Sequence, residues 1–254
     1  NRSLRIIKDC LMSSQFENHW QSRTKLLLGE EKLNRLNQAH VLVIGLGGVG
    51  ATATEQLVRA GIGELTIADS DQVSLSNINR QLPALHSTIG MDKTEVIANR
   101  LKDINPDLKL NIVNTYLKDE NLTDLVSKPY DYIVDAIDTL SPKVFLLFHA
   151  MNNKQRLVSA MGAGAKLDPT KIHIADIADT HTCNLAIHVR KRLRKLNITS
   201  GFKAVYSSEK VIKEALIYVE NEKNKKTNVG TISYMPAIFG SFCASVVIND
   251  LIKE

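Results

Sequence analysis

A glycine-rich loop offers the clearest chemistry in this chain. It directly follows the apolar run His40–Ile44 and precedes a helical pattern, and its glycines are Gly45, Gly47, Gly48 and Gly50. At a strand-to-helix turn of this kind, the backbone N–H groups and the helix dipole can hold phosphates. Asp69 lies about twenty residues further on, at the end of the next predicted strand, where a carboxylate accepts hydrogen bonds from ribose hydroxyls. These residues predict a nucleotide site.

A polar segment after Asp69 indicates which nucleotide is bound. Lys93 follows this segment at the start of a predicted helix, and the segment itself contains Asp71, Ser76, Asn77, Asn79, Arg80 and Gln81. A dinucleotide dehydrogenase shares the glycine fingerprint but has no need of an arginine and a lysine that converge on its phosphates. A triphosphate about to lose pyrophosphate does need them, because charge develops on the leaving group. We therefore expect ATP chemistry.

Asp138 is a further carboxylate that could belong to this site, and it follows a later predicted strand. The stretch 131–135 predicts a strand, and Asp138 follows it at the sheet edge where ligand sites of α/β proteins form. A helix cap in front of Ser141-Pro142 is the alternative role for this carboxylate. Asp135 lies within the strand and is the weaker candidate.

Alternating strands and helices must position these residues. The patterns predict helices at 23–38, 49–60, 93–104 and 142–153, and strands at 40–44, 64–68, 108–113, 131–135 and 156–160. This alternation predicts an α/β fold with a Rossmann-like, doubly wound, mostly parallel sheet and helices on both faces. Beyond residue 171 we expect another strand, a basic helix near 183–196, a polar loop at 221–228 and a last helix. That helix, within 232–252, is expected in the core and not in a membrane, because Ser, Asn and Asp interrupt it.

The chain divides accordingly into three parts. We expect an N-terminal segment at 1–22, a Rossmann-like ATP-binding adenylation core at 23–165, and a C-terminal extension at 166–254 that completes the same domain on the substrate side. A hydrophobic fraction of 44% with mixed charges is typical of a folded soluble protein. Residues 1–20 lack an apolar run of signal-peptide length, so we expect a cytoplasmic protein.

The cysteines argue against two kinds of site. Cys10, Cys183 and Cys243 form no C-x-x-C pair, so neither a disulfide framework nor a zinc site is indicated, and no zinc is expected. Cys243 is the strongest candidate for a thioester nucleophile, but its apolar surroundings favour an inert core thiol. Cys183 lies at the start of the basic helix, and its role stays open.

In their order along the chain, these elements resemble the ubiquitin-activating-enzyme superfamily of ThiF- and MoeB-type adenylating enzymes. The match covers Gly45 to Gly50, Asp69-x-Asp71, Ser76-Asn77-x-Asn79-Arg80-Gln81, Lys93 and Asp138. The resemblance implies that Asp69 holds the ribose of ATP, that Asn77, Arg80 and Lys93 grip the phosphates, and that Asp138 positions Mg²⁺. Arg23 matches an arginine that reaches the triphosphate of the partner subunit, which implies a homodimer. A solvated helix arginine is the alternative.

A second set of segments narrows the resemblance. Together with 79–85, the segments 159–164, 168–172 and 176–180 look like the tRNA threonylcarbamoyladenosine dehydratases. That resemblance implies ATP-dependent cyclisation of threonylcarbamoyladenosine in tRNA through a carboxyl-adenylate. The absent C-x-x-C pairs argue against the zinc-bearing members that load sulfur-carrier proteins. An adenylyltransferase for the C-terminus of a ubiquitin-like carrier remains an alternative, as does a nucleotide-binding regulatory module without catalysis.

The basic helix is the candidate tRNA surface. It carries Arg190, Lys191 and Arg194, which could bind phosphates, although a solvated helix face explains the same charges. The net charge of +5 suits a polyanionic partner. A cysteine-desulfurase-type enzyme is a further candidate partner.

Overall fold

A seven-stranded sheet runs through the computed structural model, which describes residues 19–218 and 227–253. Its strands are β1 (His40–Ile44), β2 (Glu64–Ala68), β3 (Lys109–Val113), β4 (Tyr132–Asp135), β5 (Leu157–Ala160), β6 (Ile172–Asp176) and β7 (Lys203–Ser207). Their order is β3-β2-β1-β4-β5-β7-β6. Each neighbouring pair is parallel except β6 and β7. The predicted doubly wound, mostly parallel sheet is confirmed.

Helices cover both faces of this sheet. They are α1 (Ser22–Leu28), α2 (Glu30–Gln38), α3 (Gly48–Ala60), α4 (Lys93–Ile104), α5 (Asp119–Ser127), α6 (Leu140–Asn152), α7 (Asn184–Arg194) and α8 (Tyr234–Leu251). Successive side chains of a strand point to opposite faces, so Val41 and Val43 of β1 join the core beneath α2, α3, α4 and α8. Leu42 and Ile44 join the second core beneath α5, α6 and α7. Burial on both faces explains why β1 is apolar at consecutive positions.

The last helix, α8, belongs to the first core. By length and composition alone it could cross a membrane, and it is the one helix of the described residues that could. Met235, Phe239, Cys243 and Val247 are completely buried in the core beside α3. Its apolar character is therefore accounted for by packing inside the protein, as the sequence predicted.

The structure departs from the predicted elements in several places. The helix expected at 23–38 is broken by Gly29, whose φ of +82° separates α1 from α2. Helix α5 was not predicted, although β3 and β4 run in the same direction and such strands need a crossover between them. Strand β7 was also missed, because it is a short run that pairs only with distant segments.

A two-stranded hairpin replaces part of the polar loop predicted at 221–228. Strands β8 (Leu216–Tyr218) and β9 (Thr227–Val229) pair antiparallel. Residues 227 and 228 therefore lie in a strand, and the rest of that loop lies outside the described residues. Most of the N-terminal segment 1–22, including Cys10, also lies outside them.

Candidate active site

One cavity of about 720 Å³ opens at the carboxyl ends of β1, β2, β4 and β5. Strands β2 and β3 lie on one side of β1, and β4 and β5 lie on the other side. The strand order therefore reverses between β1 and β4, and open α/β sheets bind ligands at such a switch point. Most of the predicted site residues line it, namely Gly45, Gly47, Gly48, Asp69, Asp71, Asn77, Arg80, Gln81, Lys93 and Asp138. Distant segments of the chain therefore meet in one place.

The glycine loop is shaped by two close approaches. Gly45 has φ of +89°, and a Cβ there would lie 2.9 Å from Ala136 O. A Cβ on Gly50 would lie 1.7 Å from Gly45 O, so Gly50 allows α3 to start against the loop and does not itself line the cavity. No side chain caps the N-terminus of α3, where Gly47 is the N-cap. The first N–H groups of this helix are thus available to an anion.

Asp69 holds the glycine loop in addition to facing the cavity. Its Oδ2 accepts from Leu46 N at 2.6 Å, and its Oδ1 accepts from Asp71 N at 2.8 Å. Burial raises the pKa of the Asp69 carboxyl above its ordinary value. Because a carboxylate offers about four lone-pair sites, ribose hydroxyls can still bind here.

Arg80 is oriented by two residues that were predicted to bind ATP. Its Nη1 donates to Ser76 O and to Asn79 Oδ1, both at 2.8 Å. Asn79 in turn donates to Thr231 O at 2.9 Å, which ties this loop to the chain after β9. Ser76 and Asn79 lie outside the cavity wall, so their observed contacts are with Arg80 and its surroundings. Asn77 lines the cavity and accepts from Ser74 N at 3.1 Å.

Lys93 reaches the cavity as a buried ammonium. It is the first residue of α4, and its Nζ lies 2.7 Å from Asp71 Oδ2. Its side chain is 6% exposed, whereas that of Asp71 is 68% exposed. Asp71 therefore neutralises Lys93 in this structure, and an arriving phosphate would compete for the same ammonium.

Gln81 supplies an independent sign that a ligand belongs here. Its Oε1 is the one buried side-chain nitrogen or oxygen without a hydrogen-bond partner among the described residues. Buried acceptors normally have a hydrogen-bond partner. A ligand with an N–H or O–H donor would therefore remove the unfavourable free energy of leaving this oxygen without one. Together with the open N-terminus of α3, this acceptor fits a nucleotide.

Asp138 differs from the two other carboxylates of the cavity. Asp69 is bound by backbone amides and Asp71 by Lys93. Asp138, in contrast, is exposed, and within the described part of the chain its carboxylate accepts only from the Thr139 hydroxyl at 3.2 Å. Thr139 is the N-cap of α6, and no side chain caps that helix, so the helix-cap role considered for Asp138 is not observed.

The described residues contain no cluster of three or more metal-binding side chains. A single free carboxylate nevertheless suits Mg²⁺, which is commonly bound by one or two carboxylates and substrate phosphates.

A buried ion pair supports the loop that carries Asp138. Lys143 Nζ lies 2.7 Å from Asp135 Oδ2, and both side chains are completely buried. Lys143 also donates to Ile137 O at 2.9 Å, and Asp135 accepts from Ser159 Oγ at 2.6 Å. The contacts of Asp135 are thus with buried groups of the protein itself. Lys143 was missed, and a lone cation inside the apolar run of α6 was the available signal.

The C-terminal extension builds the other wall of the cavity, which the sequence did not predict in detail. Lys166, Cys183 and Val229 line it, as do Leu216 and Thr231. Cys243, by contrast, lies completely buried in the core of α8 and does not line the cavity. Burial raises the pKa of its thiol to about 12, so it does not supply a thiolate.

The remaining predicted residues lie outside the cavity. Arg23 is exposed on α1. On α7, Lys191 and Arg194 are exposed, whereas Arg190 is half-buried and donates to the carbonyl and the hydroxyl of Thr180. Among residues 19–218 and 227–253, Arg190 therefore has an internal hydrogen-bond partner, and the side chains of Lys191 and Arg194 have none.

Comparison with known proteins assigns the family. The model of the ThiF family matches residues 21–254. A tRNA threonylcarbamoyladenosine dehydratase of Haemophilus influenzae is 40% identical over 234 residues, covering 88% of this chain and 90% of that protein. One of Bacillus subtilis is 36% identical over 243 residues, covering 93% of this chain and 96% of that protein.

A solved structure agrees with both relatives. The Escherichia coli tRNA N6-threonylcarbamoyladenosine dehydratase TcdA in complex with ATP superposes with a TM-score of 0.84 at 33% identity, covering 93% of this chain and 96% of that chain. The same enzyme has been solved in complex with AMP. The chain therefore belongs to the ThiF family, in the branch of the tRNA threonylcarbamoyladenosine dehydratases.

Proposed function

We propose that this protein is an ATP-dependent dehydratase that cyclises threonylcarbamoyladenosine in tRNA. The observation that carries the proposal is the meeting of the glycine loop, Arg80, Lys93 and Asp138 in one cavity at the switch point of the sheet. The relatives that share nearly the whole chain bear the name of this activity. A regulatory module without catalysis would have no need of this complete set.

The chemistry follows from the poor leaving ability of a carboxylate oxygen. The threonyl carboxylate attacks the α-phosphorus of ATP, and the bond to pyrophosphate breaks. An atom of the same modified nucleoside that carries a proton then attacks the activated carbonyl and loses that proton to solvent, and AMP leaves with the original carboxylate oxygen. The sum is loss of one water from the nucleoside. Intramolecular closure can reach effective molarities on the order of 10⁵ M, so no enzyme nucleophile is required.

Residue roles follow from the positions described above. The N-terminus of α3 and the glycine loop bind phosphates, and Asp69 accepts from the ribose. Arg80 and Lys93 stabilise the charge that develops on departing pyrophosphate. Asp138 would hold Mg²⁺, which supplies Lewis-acid stabilisation of phosphoryl oxygens when bound. We place the enzyme in the cytoplasm, where its tRNA substrate and ATP occur together.

A product assay tests the proposal. The protein is incubated with ATP, Mg²⁺ and tRNA carrying the linear modification, and the digested nucleosides are weighed by mass spectrometry. We expect ATP-dependent loss of one water from the modified nucleoside. Pyrophosphate exchange driven by a ubiquitin-like carrier would support the adenylyltransferase instead, and ATP binding without turnover would support the regulatory module.

We further propose a homodimer in which Arg23 acts on the nucleotide of the partner subunit. Helix α1 carries Arg23 exposed to solvent, and the adjacent Leu26 and Leu27 are 70% and 83% exposed. Two neighbouring leucines that are left this exposed suit burial against a second copy.

Mixing two inactive variants checks this arrangement. Arg23→Ala and Asp138→Ala dimers are each expected to be inactive, because every site lacks one essential group. A heterodimer contains one site with both groups, so a freely exchanged equal mixture should recover about a quarter of wild-type activity. Absence of recovery, with exchange verified by tagged subunits, would exclude Arg23 from acting across the interface.

The exposed cations of α7 give a separate prediction for tRNA. The double variant Lys191→Ala, Arg194→Ala should bind tRNA more weakly. The slope of log K against log salt should become less steep by about one to two, because each phosphate contact releases counterions and the variant makes up to two fewer contacts. ATP affinity should not change, since neither residue lines the cavity. Filter binding across a salt series measures the tRNA affinity and its salt slope.

The control is the double variant Lys32→Ala, Lys109→Ala, which removes two exposed lysines elsewhere. Equal tRNA affinity and slope in both double variants would remove α7 from the interface.

A further inference from the structure

The buried lysines of this protein differ in what neutralises them. Lys93 and Lys143 each lie 2.7 Å from an aspartate oxygen. Lys166 is only 2% exposed, and its Nζ donates to a backbone carbonyl, Ser207 O, at 3.1 Å. Within the described parts of the chain, no carboxylate forms an ion pair with it. Lys166 is therefore a buried ammonium with no carboxylate in direct contact among the described residues, and Glu209 acts on it only from a longer distance.

Such a group is costly unless an anion joins it. An ammonium has three donors, and the one recorded acceptor leaves two of them for a ligand. Burial lowers the pKa of the Lys166 side chain below its ordinary value. A ligand carboxylate would stabilise the charged form and satisfy the free donors.

The surroundings of Lys166 hold it at the cavity wall. Ala165 N donates to Gly230 O at 2.7 Å, and Tyr234 Oη donates to Leu167 O at 2.8 Å. Glu209 accepts from Leu167 N at 3.0 Å. The segment is thus fixed on both sides of Lys166 by the chain that follows β7 and β9, and the ammonium is preorganised.

The strand that precedes Lys166 indicates which anion this lysine could bind. The phosphate-binding groups lie at the ends of β1 and β2, Asp138 follows β4, and Lys166 follows β5. In strand order, Lys166 therefore lies on the β5 side of Asp138, away from β1 and β2. Met161, Cys183 and Leu185 line the cavity on the β5 side and provide no cation. A second substrate that enters on this side would bring its anion to Lys166.

We propose that Lys166 binds the threonyl carboxylate of the modified nucleoside before that carboxylate is adenylated, and so selects tRNA carrying the linear modification over unmodified tRNA. This inference rests on the proposed dehydratase function. The ion pair is broken when the carboxylate becomes an acyl group, so the contact favours entry of the acid and does not retain the activated ester.

Charge removal on the ligand and on the protein tests the proposal. The probes are threonylcarbamoyladenosine nucleoside and its methyl ester, bound by the full chain in calorimetry. We expect the wild type to bind the acid about 10- to 100-fold more tightly than the ester, the range for a hydrogen bond to a charged group. Lys166→Gln, which keeps a donor for Ser207 O, should bind both probes equally. Lys171→Gln, which alters a half-exposed lysine on the same segment, should keep the preference.

The outcomes separate this inference from the function on which it rests. If the wild type makes the cyclic nucleoside but binds acid and ester equally, Lys166 does not bind the carboxylate and the dehydratase function stands. The wild-type comparison alone decides this, even if Lys166→Gln fails to fold. An unchanged preference in folded Lys166→Gln also overturns the assignment. If the wild type yields no cyclic product in the tRNA assay, both proposals fall.

Discussion

Asp138→Asn is expected to slow adenylation about 10³-fold while leaving the fold intact. The loss is large because an amide would not hold the proposed Mg²⁺ as a carboxylate does, and the bound cation would contribute several kcal/mol of charge stabilisation. The fold should survive because the carboxylate is exposed and accepts only from Thr139. AMP and pyrophosphate formation measure the first effect, and the thermal midpoint measures the second.

The control for this experiment is Asp124→Asn, which alters an exposed carboxylate on α5 away from the cavity. It should retain wild-type activity. If Asp138→Asn kept activity within tenfold of the wild type, Asp138 would have no part in the mechanism. A lowered thermal midpoint would instead show that its role is structural.

Lys143→Met should destabilise the protein by about 3–5 kcal/mol, because removal of one partner leaves a buried charge at Asp135 without compensation. For a chain of this size the thermal midpoint should fall by roughly 6–20 °C. Adenylation should also slow, since Lys143 holds Ile137 O directly before Asp138. Denaturant unfolding measures the stability, and turnover at a temperature where the variant is folded measures the second effect.

Arg35→Met provides the matched control for the second prediction. It also removes an ion pair, to Glu31 at 2.6 Å, but the glutamate is 81% exposed. Such surface pairs contribute about 0–1 kcal/mol, so the variant should be nearly as stable as the wild type. Equal stability losses in Arg35→Met and Lys143→Met would mean that burial does not determine the strength of the inner pair.

The residues that sequence reasoning located share a simple geometry. Gly45, Asp69 and Asp138 each follow a predicted parallel strand, and carboxyl ends of parallel strands meet at one edge. Lys93 was located because a helix start could be recognised from its spacing. For these positions, the order of elements along the chain was sufficient information.

The residues that it missed depend on which strands become neighbours. Ser159 reaches Asp135 because β5 lies beside β4, and Lys166 reaches Ser207 because β7 lies beside β5. Neither adjacency can be read from local patterns. The hairpin of β8 and β9 was missed for a different reason, because each strand has only three residues and is too short to show an alternating pattern.

Contact between α8 and the glycine loop affects the order of events during biosynthesis. Pro236 Cβ lies 2.7 Å from the position that a Cβ on Gly48 would occupy, so the start of the final helix forms part of the nucleotide pocket. A nascent chain that has emerged from the ribosome only as far as Asp138 already carries the phosphate-binding groups but lacks this wall. If the proposed function holds, we therefore expect tight ATP binding only after α8 has been synthesised and has packed against the glycine loop.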